Sequence, residues 1–263
     1  MQELLIAAAI FGAGYLLNIF YITVFYHRGL AHGSVTLSPL VAKWIALTGN
    51  WFTGIDPKAW ACMHRLHHQH SDTKADPHSP IHQGVFGLLM GQLRSYKRVL
   101  KRLIAGDPKF TRVVEDIPFE VHYLNRSRLW FLPYALHASL AVVIAFVSAS
   151  PLFGLAYYGG IMSHPIQGWM VNALAHRFGY QTFNTGDNSR NNSLVALLVF
   201  GEGYQNNHHA HPERAKFSIL PSEVDFGYAL CRLGQATGLL QIATPKDDST
   251  VLSKALPSLE RLC

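Results

Sequence analysis

From Leu4 to Tyr26 the chain carries no Lys, Arg, Asp or Glu, and from Leu129 to Val171 it again carries none. At about 1.5 Å rise per residue, a helix over the first run spans the roughly 30 Å hydrocarbon core of a bilayer. The second run has the length for two helices of about 20 residues, with Ser148-Ala149-Ser150-Pro151 as the turn between them. Together they predict an all-α integral membrane protein with three transmembrane helices. A cleaved signal peptide fits the first run worse, because no basic residue precedes it and the apolar stretch is long. Composition agrees: 49% of residues are apolar and 14% charged, against about 25% charged in soluble domains. No linker or composition break divides the 263 residues, so they read as one domain, 1–263.

The basic residues give the orientation. Lys and Arg are absent from residues 1–27 and 129–176, whereas Asp56 to Arg128 holds 12 of the 22. By the positive-inside rule the N-terminus and the Ser148–Pro151 turn face outward, and the intervening segments face the cytoplasm. That places a helical cap on the cytoplasmic side. In the run Leu88 to Leu103, apolar residues alternate with Arg94, Lys97, Arg98, Lys101 and Arg102, the pattern of a helix on an anionic membrane surface or of a solvated basic helix. The net charge of +6 therefore belongs to membrane topology, and without an aromatic-basic binding motif nucleic acid is not an expected partner. Cys62, Cys231 and Cys263 form no C-x-x-C pair, which argues against a disulfide framework or a thiolate metal site.

Fifteen histidines are more than packing requires, and they cluster. His64, His67 and His68 stand at i, i+3 and i+4, so a helix presents three imidazoles on one side. Gln205, His208 and His209 repeat that spacing, and Asn172 and His176 stand at i, i+4. His27 and His32 are five apart, about 140° round a regular helix. Either the helix ends there or the two serve different metals. If these clusters share a site, the chain between His32 and His64 crosses the membrane an even number of times. The apolar segment Leu37–Ile55 is too short for two crossings, so it is expected to be re-entrant or interfacial. Eight or more candidate ligands exceed what one tetrahedral ion takes and argue for two metals. Nitrogen-rich sites suit iron, copper or zinc over magnesium or calcium, and on these grounds zinc hydrolysis at the membrane stays open.

The motifs themselves are recognisable. H-R-x-x-x-H at 27–32, W-x-x-x-H-R-x-H-H at 60–68, N-x-x-x-H at 172–176 and G-E-G-Y-x-N-N-H-H-A-x-P at 201–212 resemble the membrane fatty-acid desaturases of the stearoyl-CoA type, especially bacterial members. The segment Asp187–Asn192 is similar too, and the resemblance spans about residues 15–217, with 218–263 left as a cytoplasmic tail. It implies two iron ions, O2 as oxidant and a cis double bond introduced into a fatty-acyl chain on CoA or lipid. A hydroxylase on the same scaffold and a non-catalytic metal-binding membrane protein are the alternatives. Carried over by position, the ligands are His27, His32, His64, His67, His68, His176, His208 and His209, with Asn172 near one iron. Asp72 and Glu202 are candidates to orient ligand imidazoles, and Lys97, Arg98, Lys101 and Arg102 to meet an acyl headgroup. A separate electron donor, a ferredoxin or cytochrome b5-like protein, is implied. Gln205 stands where the family usually has His, and a Gln carbonyl is the weaker donor. His70, His78, His82, His122, His137, His164 and His211 have no matched place and read as structural or solvent-facing.

Overall fold

The structure, a computed structural model, describes residues 1–243. Helices dominate it. The one sheet among the described residues pairs β1 (Val35–Leu37) antiparallel with β2 (Leu240–Ile242). The first apolar run forms α1 (Gln2–Phe20) and continues without a break into a π-helix, Tyr21–Ala31. This composite is the one helix among the described residues that is long and apolar enough to cross a membrane. It packs along the helix Pro151–Ile161, where a Cβ on Gly160 would collide with the Phe11 carbonyl and one on Gly14 with the Ile161 backbone. Small residues at such crossings let two backbones approach closely.

The second apolar run folds as the expected hairpin, Leu132–Val147 against Pro151–Ile161, turning at Ser148–Ser150. The arms differ from the expected pair of 20-residue helices. The first has 16 residues; the second stops at Ile161 and resumes as His164–Trp169, which leads into a second π-helix, Met170–Leu174. Pro165 explains the interruption, because it brings no N–H to continue the helical ladder.

Leu37–Ile55 becomes a single helix, α2 (Pro39–Thr53), with Ser38 capping its start and Gly54 at φ 74° closing it. It has no internal turn. Its length of about 22 Å is also short of a crossing. One side buries Val41 and Ile45, and the other exposes Leu40, Trp44 and Leu47. Asp56 and Pro57, which close that run in the sequence, start α3 (Pro57–His70): the Asp56 carboxylate accepts from Ala59 N at 2.9 Å and from His122 N at 2.7 Å. A capping carboxylate and a first-turn proline favour a helix start at this point.

The basic stretch forms the helix Gly87–Ile104, burying Leu88, Gln92, Ser95, Val99 and Leu103 while Arg94, Lys97, Arg98, Lys101 and Arg102 lie exposed. Lys97 sits 5.5 Å from the Trp130 ring and Arg102 3.5 Å from Asp107. Residues 218–243 are more than a tail. The helix Phe226–Ala236 packs against the first π-helix, and β2 closes on β1 beside it. Residues 244–263 of the expected tail lie outside the described residues.

Candidate metal centre

The first π-helix resolves the five-residue spacing of His27 and His32. An α-helix would splay them, but a π turn closes an i to i+5 bond and stacks every fifth residue. Here His32 N donates to His27 O at 3.1 Å, and the two ring centroids lie 5.0 Å apart. Both enter one cluster of donor atoms. The wider turn that aligns them is something neither sequence alternative contained. Arg28, fully buried, locks this turn: its guanidinium donates to Glu202 at 2.6 Å, Asp225 at 3.2 Å and the Ala215 carbonyl at 2.8 Å, and stacks 3.8 Å over Phe217.

All eight predicted histidines converge, in two groups. His27, His32, His64, His68 and His208 offer one nitrogen each, all within 4.8 Å of one another; His67, His176 and His209 do the same. The split runs through both HH pairs. On α3 the rings of His64 and His68, one turn apart, face the first group, while His67 turns to the second. His208 and His209 likewise divide. The groups adjoin, with the His68 and His209 rings 4.3 Å apart. Within the first, Nε2 atoms meet at 2.9 Å (His27 and His208), 2.8 Å (His32 and His64) and 3.0 Å (His68 and His208).

The opposite edges of four rings rest on carboxylates. His27 Nδ1 lies 2.5 Å from Glu202, His67 Nδ1 3.0 Å from Asp76, His176 Nδ1 3.3 Å from Asp72 and His209 Nδ1 2.6 Å from Asp187. Glu202 and Asp72 were expected from the sequence; Asp72 serves His176 across the fold instead of its neighbours on α3. Asp76 and Asp187 were missed. Asp187 opens the Asp187–Asn192 segment and Asp76 follows α3 by six residues, but nothing in the spacing ties either to a particular histidine. Asp72 holds a left-handed conformation (φ 60°) and also accepts from Ser79 Oγ at 2.6 Å and Asn188 N at 2.8 Å, tying three segments to the second group. Burial alone would raise Asp76, yet the hydrogen bond from His67 holds it down at about 2. Asp72 and Asp187 lie well below the usual carboxylate range for the same reason, with His176 and His209 as partners.

A carboxylate at Nδ1 keeps the proton there and leaves a bare Nε2 lone pair, the tautomer being assigned from the hydrogen-bond network. Those lone pairs point inward. His67 Nε2 and His176 Nε2 are buried with no protein partner. Burial, and then the neighbouring imidazoles, pushes His64, His68 and His208 well below their ordinary pKa, and burial brings His209 to about 4 despite Asp187. Converging neutral imidazoles repel unless a cation lies among them. Around an ion with bonds of about 2.1 Å, nitrogens at right angles lie about 3.0 Å apart, which is the spacing of the Nε2 contacts in the first group. The donor set fits transition-metal ions.

Gln205 belongs to the second group. Its Nε2 donates to the Glu202 carbonyl at 2.8 Å, which turns Oε1 toward His209 Nε2, 3.1 Å away. Asn172, on the second π-helix and half-buried, lines a cavity with Gln205, His27 and His64. A second cavity shares Trp60, Met63, Gln92 and His164 with the first and runs on to Thr53, Tyr96, Tyr134 and Met162. The first cavity is lined by histidines of the cluster and the second, meeting it at the shared residues, by α2 and the hairpin. Lys97, Arg98, Lys101 and Arg102 lie away from the histidine groups on their exposed face, and His70 and His211 belong to neither group.

A helical protein with eight histidines in two adjacent nests, four of them backed by carboxylates, and a long apolar helix carrying two of them at its end, is a candidate metalloprotein. Residues 4–224 match the profile of the fatty acid desaturase family. Over 229 residues the chain is 32% identical to the icosanoyl-CoA 5-desaturase of Limnanthes douglasii, covering 86% of this chain and 61% of that protein. It is 32% identical to the chloroplastic palmitoyl-monogalactosyldiacylglycerol delta-7 desaturase of Arabidopsis thaliana, covering 87% of this chain and 59% of that one. It is also 32% identical to the sn-1 stearoyl-lipid 9-desaturase of Anabaena variabilis, covering 83% and 76%. The chain thus spans about three-fifths of the length of the first two. It belongs to the fatty acid desaturase family.

Proposed function

We propose that this chain is an O2-dependent fatty-acyl desaturase that introduces a cis double bond at a centre of two iron ions. The observation that carries the reading is the convergence of eight buried or half-buried imidazoles into two adjacent groups, with His27 and His64 lining a cavity. One ion would be held by His27, His32, His64, His68 and His208, the other by His67, His176, His209 and the Gln205 carbonyl, with Asn172 nearby. When bound, iron with O2 and two external electrons supplies the oxidising strength that an unactivated methylene demands. The protein does the rest. Glu202, Asp76, Asp72 and Asp187 hold protons at Nδ1 so that the Nε2 lone pairs stay aimed inward. Trp60, stacked on His64 with 5.0 Å between centroids, forms with Met63 and His164 the neck between the two cavities. A chain threaded through that neck has its methylenes fixed relative to the histidines, so position selectivity follows from placement.

In this reading α1 with the first π-helix and the two hairpin arms make three crossings. α2 lies at the interface, and the clusters face the cytoplasm under a helical cap. Lys97, Arg98, Lys101 and Arg102 face anionic headgroups of lipid or substrate, and residues 1–263 form one domain. Electrons come from a ferredoxin or cytochrome b5-like protein. Acyl-CoA and acyl-lipid are both candidate substrates, since the relatives' names include each.

The test is product analysis of the lipids of a host expressing the chain, with and without O2, alongside a His67→Ala variant. New double bonds that need O2 and vanish in the variant support desaturation. An alcohol carrying 18O from O2 would instead assign a hydroxylase. No product, with incomplete iron that Gln205→His restores, would assign a metal-binding protein without turnover.

A further inference from the structure

The second histidine group is short of nitrogen. The first has five imidazoles; the second has three and an amide oxygen. His78 lies beside His67 of that group. It is 1% exposed, and neither of its ring nitrogens has a protein partner. An imidazole buried with both nitrogens unpaired forfeits its hydration without recompense, and native proteins rarely leave a polar side chain so.

Its surroundings are organised. The His78 ring stacks on His67, with centroids 4.5 Å apart and planes inclined by 24°. Donor atoms of His67, Asp76 and His78 all lie within 4.8 Å of one another. The Asp76 carboxylate that receives His67 Nδ1 also accepts His78 N at 2.9 Å, so one side chain positions both rings. Centroid spacings within the two groups run from 4.4 Å, His27 with His64, to 6.0 Å, His64 with His208, and the His78 spacing falls among them. His78 also lines the cavity that Gln205 and Asn172 line.

We infer that His78 is a nitrogen donor to the second metal, the fourth imidazole of that site, taking up the role that a histidine at position 205 would otherwise fill. The inference rests on the reading of this group as a metal site. The ligand class is a transition-metal ion, and the donor atom is one of the two unpaired ring nitrogens.

The test measures iron per chain on the full-length protein, purified in detergent after iron loading, for wild type, His78→Phe, His78→Phe with Gln205→His, and His82→Phe as a control at an exposed histidine nearby. Phe keeps an aromatic ring to stack on His67, a larger one, and removes the nitrogens. The expected result is about two irons in wild type and His82→Phe, a fall by about half in His78→Phe, and recovery to the wild-type content when Gln205→His supplies another imidazole. Mössbauer spectra of 57Fe-loaded samples should lose one of two components in His78→Phe and regain it in the double variant. Undiminished iron and an unchanged spectrum in His78→Phe would overturn the inference while leaving the two-iron reading intact. Should His78→Phe lose all its metal, the double variant decides: regained iron supports the inference, and none overturns it. Wild type with one iron or none would defeat the two-iron reading itself, and this inference with it.

Discussion

The two histidine groups are built from the same motifs and differ in what stands behind them. The first has five imidazoles, one of which leans on a carboxylate, Glu202, itself held by the buried Arg28 and thereby linked to Asp225. The second has three imidazoles, each with its own carboxylate, and an amide oxygen in the remaining place. One site relies on the number of donors, the other on the orientation of each. A site with spare ligands tolerates the loss of one; a site with few depends on the groups that aim them.

The sharpest test of that contrast lies one turn apart on α3. His67→Ala leaves the second group with two imidazoles and should bring desaturation below detection and halve the bound metal. His64→Ala leaves four imidazoles in the first and should retain more metal than His67→Ala. Equal metal loss in the two variants would erase the distinction. Next in size is Glu202→Gln, which removes the anchor of His27 and strips Arg28 of one of its two anions. Breaking a buried ion pair costs about 3–5 kcal/mol, so the metal-free protein should unfold at clearly lower temperature, as read by circular dichroism. Asp187→Asn should spare the fold and weaken the second metal about 10–100-fold, measured by competition with a chelator.

Acid should act on both groups. His209, at about 4 in the folded protein, titrates near 6.5 when unfolded. Between those values the unfolded chain binds more protons, so stability falls as the pH drops through that window. Asp76, held at about 2, adds a loss only below about 4. The metal-free protein should therefore lose thermal stability from about pH 6.5 downward, and bound metal should oppose the loss. The smallest effect belongs to the exposed basic helix. Lys97→Ala removes a contact with Trp130 at the surface and should change stability by no more than about 0.5 kcal/mol, while leaving metal content untouched.

Much of this was written in the order of residues. Charge-free runs of membrane length, the hairpin turn at Ser148–Ser150 and the eight histidines follow from local pattern, because a helix needs only its own backbone partners and a metal ligand only its side-chain type. The partition of the histidines did not. Spacing of i, i+3 and i+4 placed His64, His67 and His68 together, and only the packing of α3 between the first π-helix and the segment carrying His208 and His209 sends His67 the other way. The alignment of His27 with His32 needs a π turn, which is set by Arg28 reaching Glu202 and Asp225, residues about 170 to 200 positions away. Asp76 and Asp187 acquire their roles in the same manner, from contacts that sequence distance conceals. The chain determined by itself which side chains could bind a metal. The tertiary structure decided which of them share an ion's place and what holds each one there, since convergence of groups far apart in sequence is a property of packing and not of periodicity.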